Sequence, residues 1–177
     1  MAGEWVLLSY RLPREPSAPR VAVWRRLKRL GVAQISDGLV ALPADARTRE
    51  QVEWAAEDVV ERGGAASVWL ARPATDAQER GLATAMAAAR AEEYRDLESA
   101  VRRVLSGDAD ERRRALTGLR RRNREISRRD FFPPPERDLA AAALRELADG
   151  VGPDGLSRSS VRPSRAGRKS RADGGAR

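Results

Sequence analysis

The sequence contains no cysteine and no histidine. These absences exclude disulfide bonds, zinc sites built from thiolates and imidazoles, and nucleophilic systems that pair serine or cysteine with histidine. No apolar run approaches the roughly 20 residues needed to span a bilayer. Residues 1–15 also lack the basic start and small-residue cleavage site of a secretory signal. We therefore expect a cytoplasmic protein with no membrane partner.

Lysine is nearly absent, since Lys28 and Lys169 are the only two among 34 basic residues. The guanidinium of arginine binds phosphate oxygens through two parallel hydrogen bonds, so this usage suits phosphate recognition. A coding sequence rich in G and C also favours arginine and alanine codons. Residues 151–177 carry seven basic and two acidic side chains, whereas residues 1–150 are nearly neutral. Local clusters, rather than the net charge of +8, must therefore indicate a nucleic-acid partner.

Residues 1–75 alternate strand-like and helix-like patterns in the order β-α-β-β-α-β. The Asp37-Gly38 pair predicts a tight hairpin, Gly31 predicts the end of the first helix, and Thr48 predicts the N-cap of the second. We therefore predict an α+β fold, a ferredoxin-like β-α-β-β-α-β sandwich. Four tryptophans fall in four different elements and are expected mainly to fill and anchor the core: Trp5, Trp24, Trp54 and Trp69.

The first strand is apolar on both of its faces, so both faces should be covered. The two short helices can cover only one. Residues 76–150 are rich in alanine and predict three further helices, broken at Gly107 and at the Pro133-Pro134-Pro135 run. We expect them to form a C-terminal helical extension packed on the sheet. Residues 151–177 have almost no apolar side chains and are expected to be a disordered basic tail.

The first basic cluster lies on the predicted first helix, where no acidic residue occurs between Pro16 and Ser36. An unbroken positive potential attracts the DNA backbone and releases counterions. A helix face that is simply solvated explains the same residues. The candidate DNA-binding residues here are Arg20, Arg25, Arg26, Lys28 and Arg29.

The second cluster lies on a helix predicted from about residue 110 to 129. Spacings of 3, 4 and 7 residues return to one side of a helix, so several of these arginines share a face. They either contact DNA or face acidic residues of a neighbouring helix. The candidate DNA-binding residues are Arg113, Arg120, Arg121, Arg122, Arg124 and Arg128. A third group, in residues 158–171, either binds phosphates without selectivity or only adds solubility.

No residue pattern indicates catalysis. Glu92 and Asp96 lie one helical turn apart, a spacing that a Mg²⁺ site can use, but Arg95 beside them explains both as surface residues. There is no glycine-rich phosphate loop. We therefore predict a non-enzymatic protein with no cofactor, no metal and no catalytic residue.

Four segments resemble the N-terminal domain of the ChrB family: EWVLLSYRLPREPSAPRVAVWRRLKRLG, DGLVALP, AAARAEEYRDL and RRDFF. The resemblance covers roughly residues 4–148, and its first segment is the most specific. The strand–helix–hairpin pattern is more distantly similar to PaaX-like repressors, whose central domain resembles small ferredoxin-like CRISPR-associated ribonucleases. Those ribonucleases need a carboxylate at the end of strand one, where this chain has Ser9-Tyr10-Arg11.

ChrB proteins repress chromate-resistance operons until chromate relieves the repression. The resemblance therefore implies a DNA-associated transcriptional regulator linked to chromate resistance, and the PaaX-like analogy implies a possible homodimer. The family's second, chromate-responsive domain is not part of the resemblance. An alternative class follows from this, namely a protein-interaction module that pairs with a partner carrying a ChrB-type sensor domain.

Overall fold

The computed structural model describes residues 3–151. Four strands and five helices follow one another there, with the bounds β1 Trp5–Arg11, α1 Ser17–Leu30, β2 Ala33–Ser36, β3 Leu39–Pro43, α2 Ala46–Glu61, β4 Ala65–Ala71, α3 Asp76–Leu105, α4 Ala109–Ser127 and α5 Glu136–Asp149. The predicted α+β class is confirmed. The predicted disordered tail lies outside the described residues, apart from Val151.

The four strands form one sheet in the order β2-β3-β1-β4. Strand β1 pairs antiparallel with β3 on one side and with β4 on the other, while β2 pairs antiparallel with β3. The predicted Asp37-Gly38 hairpin joins β2 to β3, and Gly38 has the positive φ of 73° that this turn needs. Strands β2 and β4 are therefore the two edges of the sheet.

The inner face of the sheet is covered by α1 and α2. Val6 and Leu8 of β1 are fully buried there, and the core continues into Val23 and Leu27 of α1 and Val52 and Val59 of α2. Each such side chain contributes roughly 1.5–3 kcal/mol when it leaves water. Because valine and leucine recur on one stripe of each helix, the sequence pattern directly determines this layer.

The outer face is covered only in part, by the second half of the chain. Trp5 stacks on Phe132 with 6.0 Å between ring centroids, and its indole N–H donates to Glu79 of α3. Met86 of α3 joins the core of the sheet. Toward β4 the outer face is open, and Trp69 is 59 % exposed. The extension therefore covers the β1 end at Trp5 and leaves the β4 edge uncovered.

Helices α3, α4 and α5 pack around a second core that is separate from the sheet core. Tyr94, Leu97 and Leu147 are fully buried at its centre. The hydroxyl of Tyr94 donates to Asp130 at 3.0 Å, and burial is the main reason that the pKa of this tyrosine is raised. The bundle therefore has its own apolar and polar anchors.

Two local predictions were wrong. The N-cap of α2 is Asp45, not Thr48: the Asp45 carboxylate accepts from the Thr48 backbone N–H at 2.6 Å, and the Thr48 hydroxyl accepts in return from the Asp45 N–H. The capping box is present, but it begins three residues earlier.

Trp54 and Trp69 are 51 % and 59 % exposed, so only Trp5, which is buried, and Trp24, which is half-buried, pack as expected.

Candidate nucleic-acid interface

The predicted cationic residues of α1 are exposed, with one exception. Arg26 is half-buried and lies 3.7 Å from the Asp58 carboxylate of α2. That pairing is an expected result of two helices packing side by side, and it removes Arg26 from the free positive surface. No acidic side chain within residues 3–151 pairs with the other four, which are Arg20, Arg25, Lys28 and Arg29.

The predicted arginines of α4 divide into two groups. Three have acidic partners: Arg113 with Asp110, Arg121 with Glu125, and Arg122 with Asp96 of α3. The remaining three are exposed, lack an ion pair in the described part of the chain, and recur at every fourth position: Arg120, Arg124 and Arg128. A four-residue spacing places them in one row, about 6 Å apart along the helix.

The C-terminal ends of α1 and α4 meet. The Arg129 guanidinium donates to the backbone carbonyl of Lys28 at 3.2 Å. A cation at this position is favourable because the last carbonyls of a helix carry partial negative charge. The end of α1 that carries Lys28 and Arg29 therefore lies near the end of α4 that carries Arg128.

Three charged residues hold this contact, and we call Arg90, Glu93 and Arg129 the junction cluster. Glu93 accepts from Arg90 through one carboxylate oxygen at 2.8 Å and from Arg129 through the other. Burial lowers the pKa of Arg90 from its usual value, whereas Glu93 opposes the shift. Gly31, with a φ of 82°, ends α1 against this cluster, and a Cβ added there would lie only 2.7 Å from the Arg90 guanidinium.

A cleft opens at the opposite end of the sheet, and sequence reasoning did not identify it. This end cleft, about 1120 Å³ in volume, is bounded by residues 10–14, by residues 20–24 of α1, by the β2–β3 turn and by Gly63-Gly64-Ala65. Arg11 and Arg14 line it together with Arg20. The available signal was two arginines close together in the sequence, Arg11 at the end of β1 and Arg14 just before α1.

The carboxylates considered for metal binding are engaged elsewhere. Glu92 pairs with Arg95 at 2.6 Å, and Asp96 faces Arg122 of α4 at 3.8 Å. In the described residues, no three acidic side chains come together as a metal site would require. No helix there is long and apolar enough to cross a membrane. These two carboxylates therefore act as ion-pair partners that orient arginines.

The fold and the surface chemistry define an α+β protein with exposed arginines on two helices that meet at their C-terminal ends. Residues 20–104 match the family model described as Protein ChrB, N-terminal. Residues 20–104 therefore belong to the N-terminal domain of the ChrB family, as the sequence motifs predicted, and this match relates the chain to the chromate-resistance regulators. No curated protein and no solved structure matches the chain.

The family match begins in α1 and ends in α3. It includes Arg90 and Glu93 of the junction cluster but ends before α4, so the family match does not cover the row of α4 arginines. The match does not extend to PaaX-like repressors, and that more distant resemblance stays a prediction.

Proposed function

We propose that this protein is a ChrB-like, DNA-associated transcriptional repressor linked to chromate resistance, acting in the cytoplasm without catalysis or cofactor. The observation that carries the proposal is the set of exposed cations without acidic partners on α1 and α4, two helices whose C-terminal ends lie close together. Opposite charges one turn apart on a solvated helix face can neutralise one another, as Arg49 and Glu53 do here. The cations of that set on α1 and α4 have no such acidic neighbour in the described residues, so their positive charge is available to bind a polyanion such as DNA.

The spacing of the α4 row suits a phosphate backbone. Arg120 and Arg128 lie about 12 Å apart along the helix, a length over which one DNA strand carries three or four phosphates at about 3.4 Å each. Arg121 and Arg122 are held by Glu125 and Asp96, so they flank the row with their charge already partly neutralised. We therefore assign phosphate contact to Arg120, Arg124 and Arg128, and a supporting role to their neighbours.

We further propose that residues 3–75 form a ferredoxin-like sandwich. The β-α-β-β-α-β order, the antiparallel sheet with β1 between β3 and β4, and two helices on one face all support this assignment. In this arrangement α1 and α2 lie on the surface, which leaves the arginines of α1 accessible to DNA.

Salt dependence tests the proposed function. We expect the affinity for a labelled DNA duplex from the protein's own upstream region to fall with salt, with a log–log slope of about −4 or steeper, because each phosphate contact contributes about −0.9. Fluorescence anisotropy at several salt concentrations measures this slope. A chain ending at residue 151 is the necessary comparison, since residues 152–177 are also basic. A truncated chain without measurable duplex binding would contradict the proposal.

An alternative class, a protein-interaction module, is favoured by strand β4. This edge strand carries no charged residue, and Trp69 and Leu70 are about half exposed. Natural proteins usually protect an open edge with charge or proline, so an uncharged edge indicates pairing with another chain. We propose that β4 pairs antiparallel with β4 of a second copy, because a two-fold axis makes such an edge self-complementary.

The dimer is testable by sedimentation velocity. Trp69→Lys is expected to shift the wild-type dimer to a monomer, because it places a charge on the pairing edge. Ile35→Lys, a similarly exposed site on the other edge strand, should leave the dimer intact. A wild-type chain that sediments as a monomer would contradict the homodimer and would favour a separate sensor-domain protein as the partner of β4.

A further inference from the structure

The end cleft has a volume of about 1120 Å³, and it lies at the far end of the sheet from the junction cluster. Four separate segments enclose it: the end of β1, the start of α1, the β2–β3 turn and the α2–β4 turn. Gly38 permits this closure, because its positive φ lets the turn lie against the backbone of Tyr10, where a Cβ would collide with the carbonyl. The cleft is therefore built by the fold and is not a gap between loose surface loops.

The charge in the end cleft is strongly unbalanced. Three arginines line it, Arg11, Arg14 and Arg20, against a single acidic residue, Asp37. None of the three arginines forms an ion pair with another residue of the described chain. Unpaired arginines that converge on one cavity attract an anion, and their planar forks match phosphate oxygens in particular.

The start of α1 adds to this potential. The N-cap position is Pro16, which supplies no side-chain hydrogen bond, and no acidic residue occupies the first turn. The first backbone N–H groups of α1 therefore lack the cap that most helices have, and their partial positive charge adds to that of Arg20.

Two aromatic rings give the end cleft a second property. Tyr10 and Trp24 are both among the residues that line it, and both are half-buried. Burial, followed by the nearby Asp37 charge, raises the pKa of Tyr10, which keeps the ring neutral at physiological pH. Neutral aromatic faces next to arginines bind nucleobases by stacking.

We propose that the end cleft is a nucleotide-binding site, in which Arg11, Arg14 and Arg20 hold the phosphate and Tyr10 and Trp24 contact the base. A volume of about 1120 Å³ accommodates a nucleotide with its base. The same chemistry is offered by a free mononucleotide and by the unpaired end of a DNA strand. Arg20 is shared with the proposed DNA-binding surface of α1, but Arg11 and Arg14 are not, so the cleft can be tested separately from duplex binding by α1 and α4.

Calorimetric titration of the full chain tests the proposal with defined probes. Adenosine 5′-monophosphate is expected to bind, and adenosine without the phosphate is expected to bind at least tenfold more weakly. A six-residue oligodeoxyadenylate, with and without a 5′-phosphate, distinguishes the two sources. Tighter binding of the phosphorylated oligonucleotide than of the mononucleotide indicates a strand end, and the reverse order indicates a free nucleotide.

A pair of variants locates the site. Arg11→Gln/Arg14→Gln should weaken mononucleotide binding at least tenfold and leave duplex affinity nearly unchanged. Arg25→Gln/Arg29→Gln, which removes the same charge from the outer side of α1, should do the opposite. In the Trp24→Phe variant, any quenching of tryptophan fluorescence by the mononucleotide should be largely lost.

Three results would overturn the proposal. These are the absence of binding of either phosphorylated probe by the wild type, equal losses in the two double variants, and equal affinity for adenosine and its monophosphate. Loss of duplex binding alone would affect the proposed repressor function and not the end cleft, so the two failures are distinguishable.

Discussion

Duplex DNA binding is expected to fall about 100-fold when Arg120, Arg124 and Arg128 are replaced together by glutamine. These three side chains are exposed and lack an acidic partner in the described part of the chain, so each is available for a phosphate. A charge-assisted contact at an exposed site contributes roughly 1 kcal/mol, and three such contacts correspond to a loss of about two orders of magnitude. The log–log salt slope should become shallower by about 3, since each lost contact removes about one counterion.

A matched variant distinguishes the loss of phosphate contacts by the α4 row from a general loss of positive charge. Arg49, Arg62 and Arg102 are also surface arginines, but each already forms an i,i+4 ion pair on its own helix. Their joint replacement by glutamine lowers the net charge by the same amount and should weaken duplex binding only a few-fold. Equal losses in the two triple variants would mean that the α4 row is not a specific contact surface. Circular dichroism on both variants checks that α4 remains helical.

The order and bounds of the elements could be predicted from the sequence because their signals are local. Gly31 ends α1 where the positive φ was expected, and Pro133-Pro134-Pro135 separates α4 from α5. Apolar periodicity identifies each buried face without knowledge of the neighbours. The misplaced N-cap of α2 has an equally local cause. Asp45 and Thr48 are both good caps three residues apart, and spacing alone does not determine which one precedes the helix.

The site was less predictable because it depends on distant partners. Nothing near Arg26 in the sequence indicates that Asp58, 32 residues later, neutralises it. The end cleft is harder still, since it takes two to five residues from each of four segments that only the folded sheet brings together. Exposure of Trp69 is also tertiary in origin, because the helical extension covers the Trp5 end of the outer face and stops short of β4.

Glu93→Gln is expected to lower the free energy of unfolding by about 2–3 kcal/mol. The Glu93 carboxylate neutralises two guanidiniums, and Arg90 is only 7 % exposed. Removing one partner of a buried ion pair is costly because the remaining charge stays desolvated, and here two like charges also face one another. The value is set below that of a fully buried pair because the Glu93 side chain is 28 % exposed. Urea denaturation followed by circular dichroism measures the change.

The neighbouring residue supplies the control for this prediction. Glu92 also pairs with an arginine one turn away, but its side chain is 73 % exposed, so Glu92→Gln should leave stability nearly unchanged. The two variants alter the same chemical group at adjacent positions and differ only in burial and in the number of arginines that depend on the carboxylate. Because Arg129 reaches the end of α1 from the junction cluster, Glu93→Gln should also disturb the alignment of the α1 and α4 arginine surfaces. Duplex affinity should then fall in Glu93→Gln and persist in Glu92→Gln, although neither substitution removes a positive charge. Equal stability and equal affinity in the two variants would show that the junction cluster does not hold the two surfaces together.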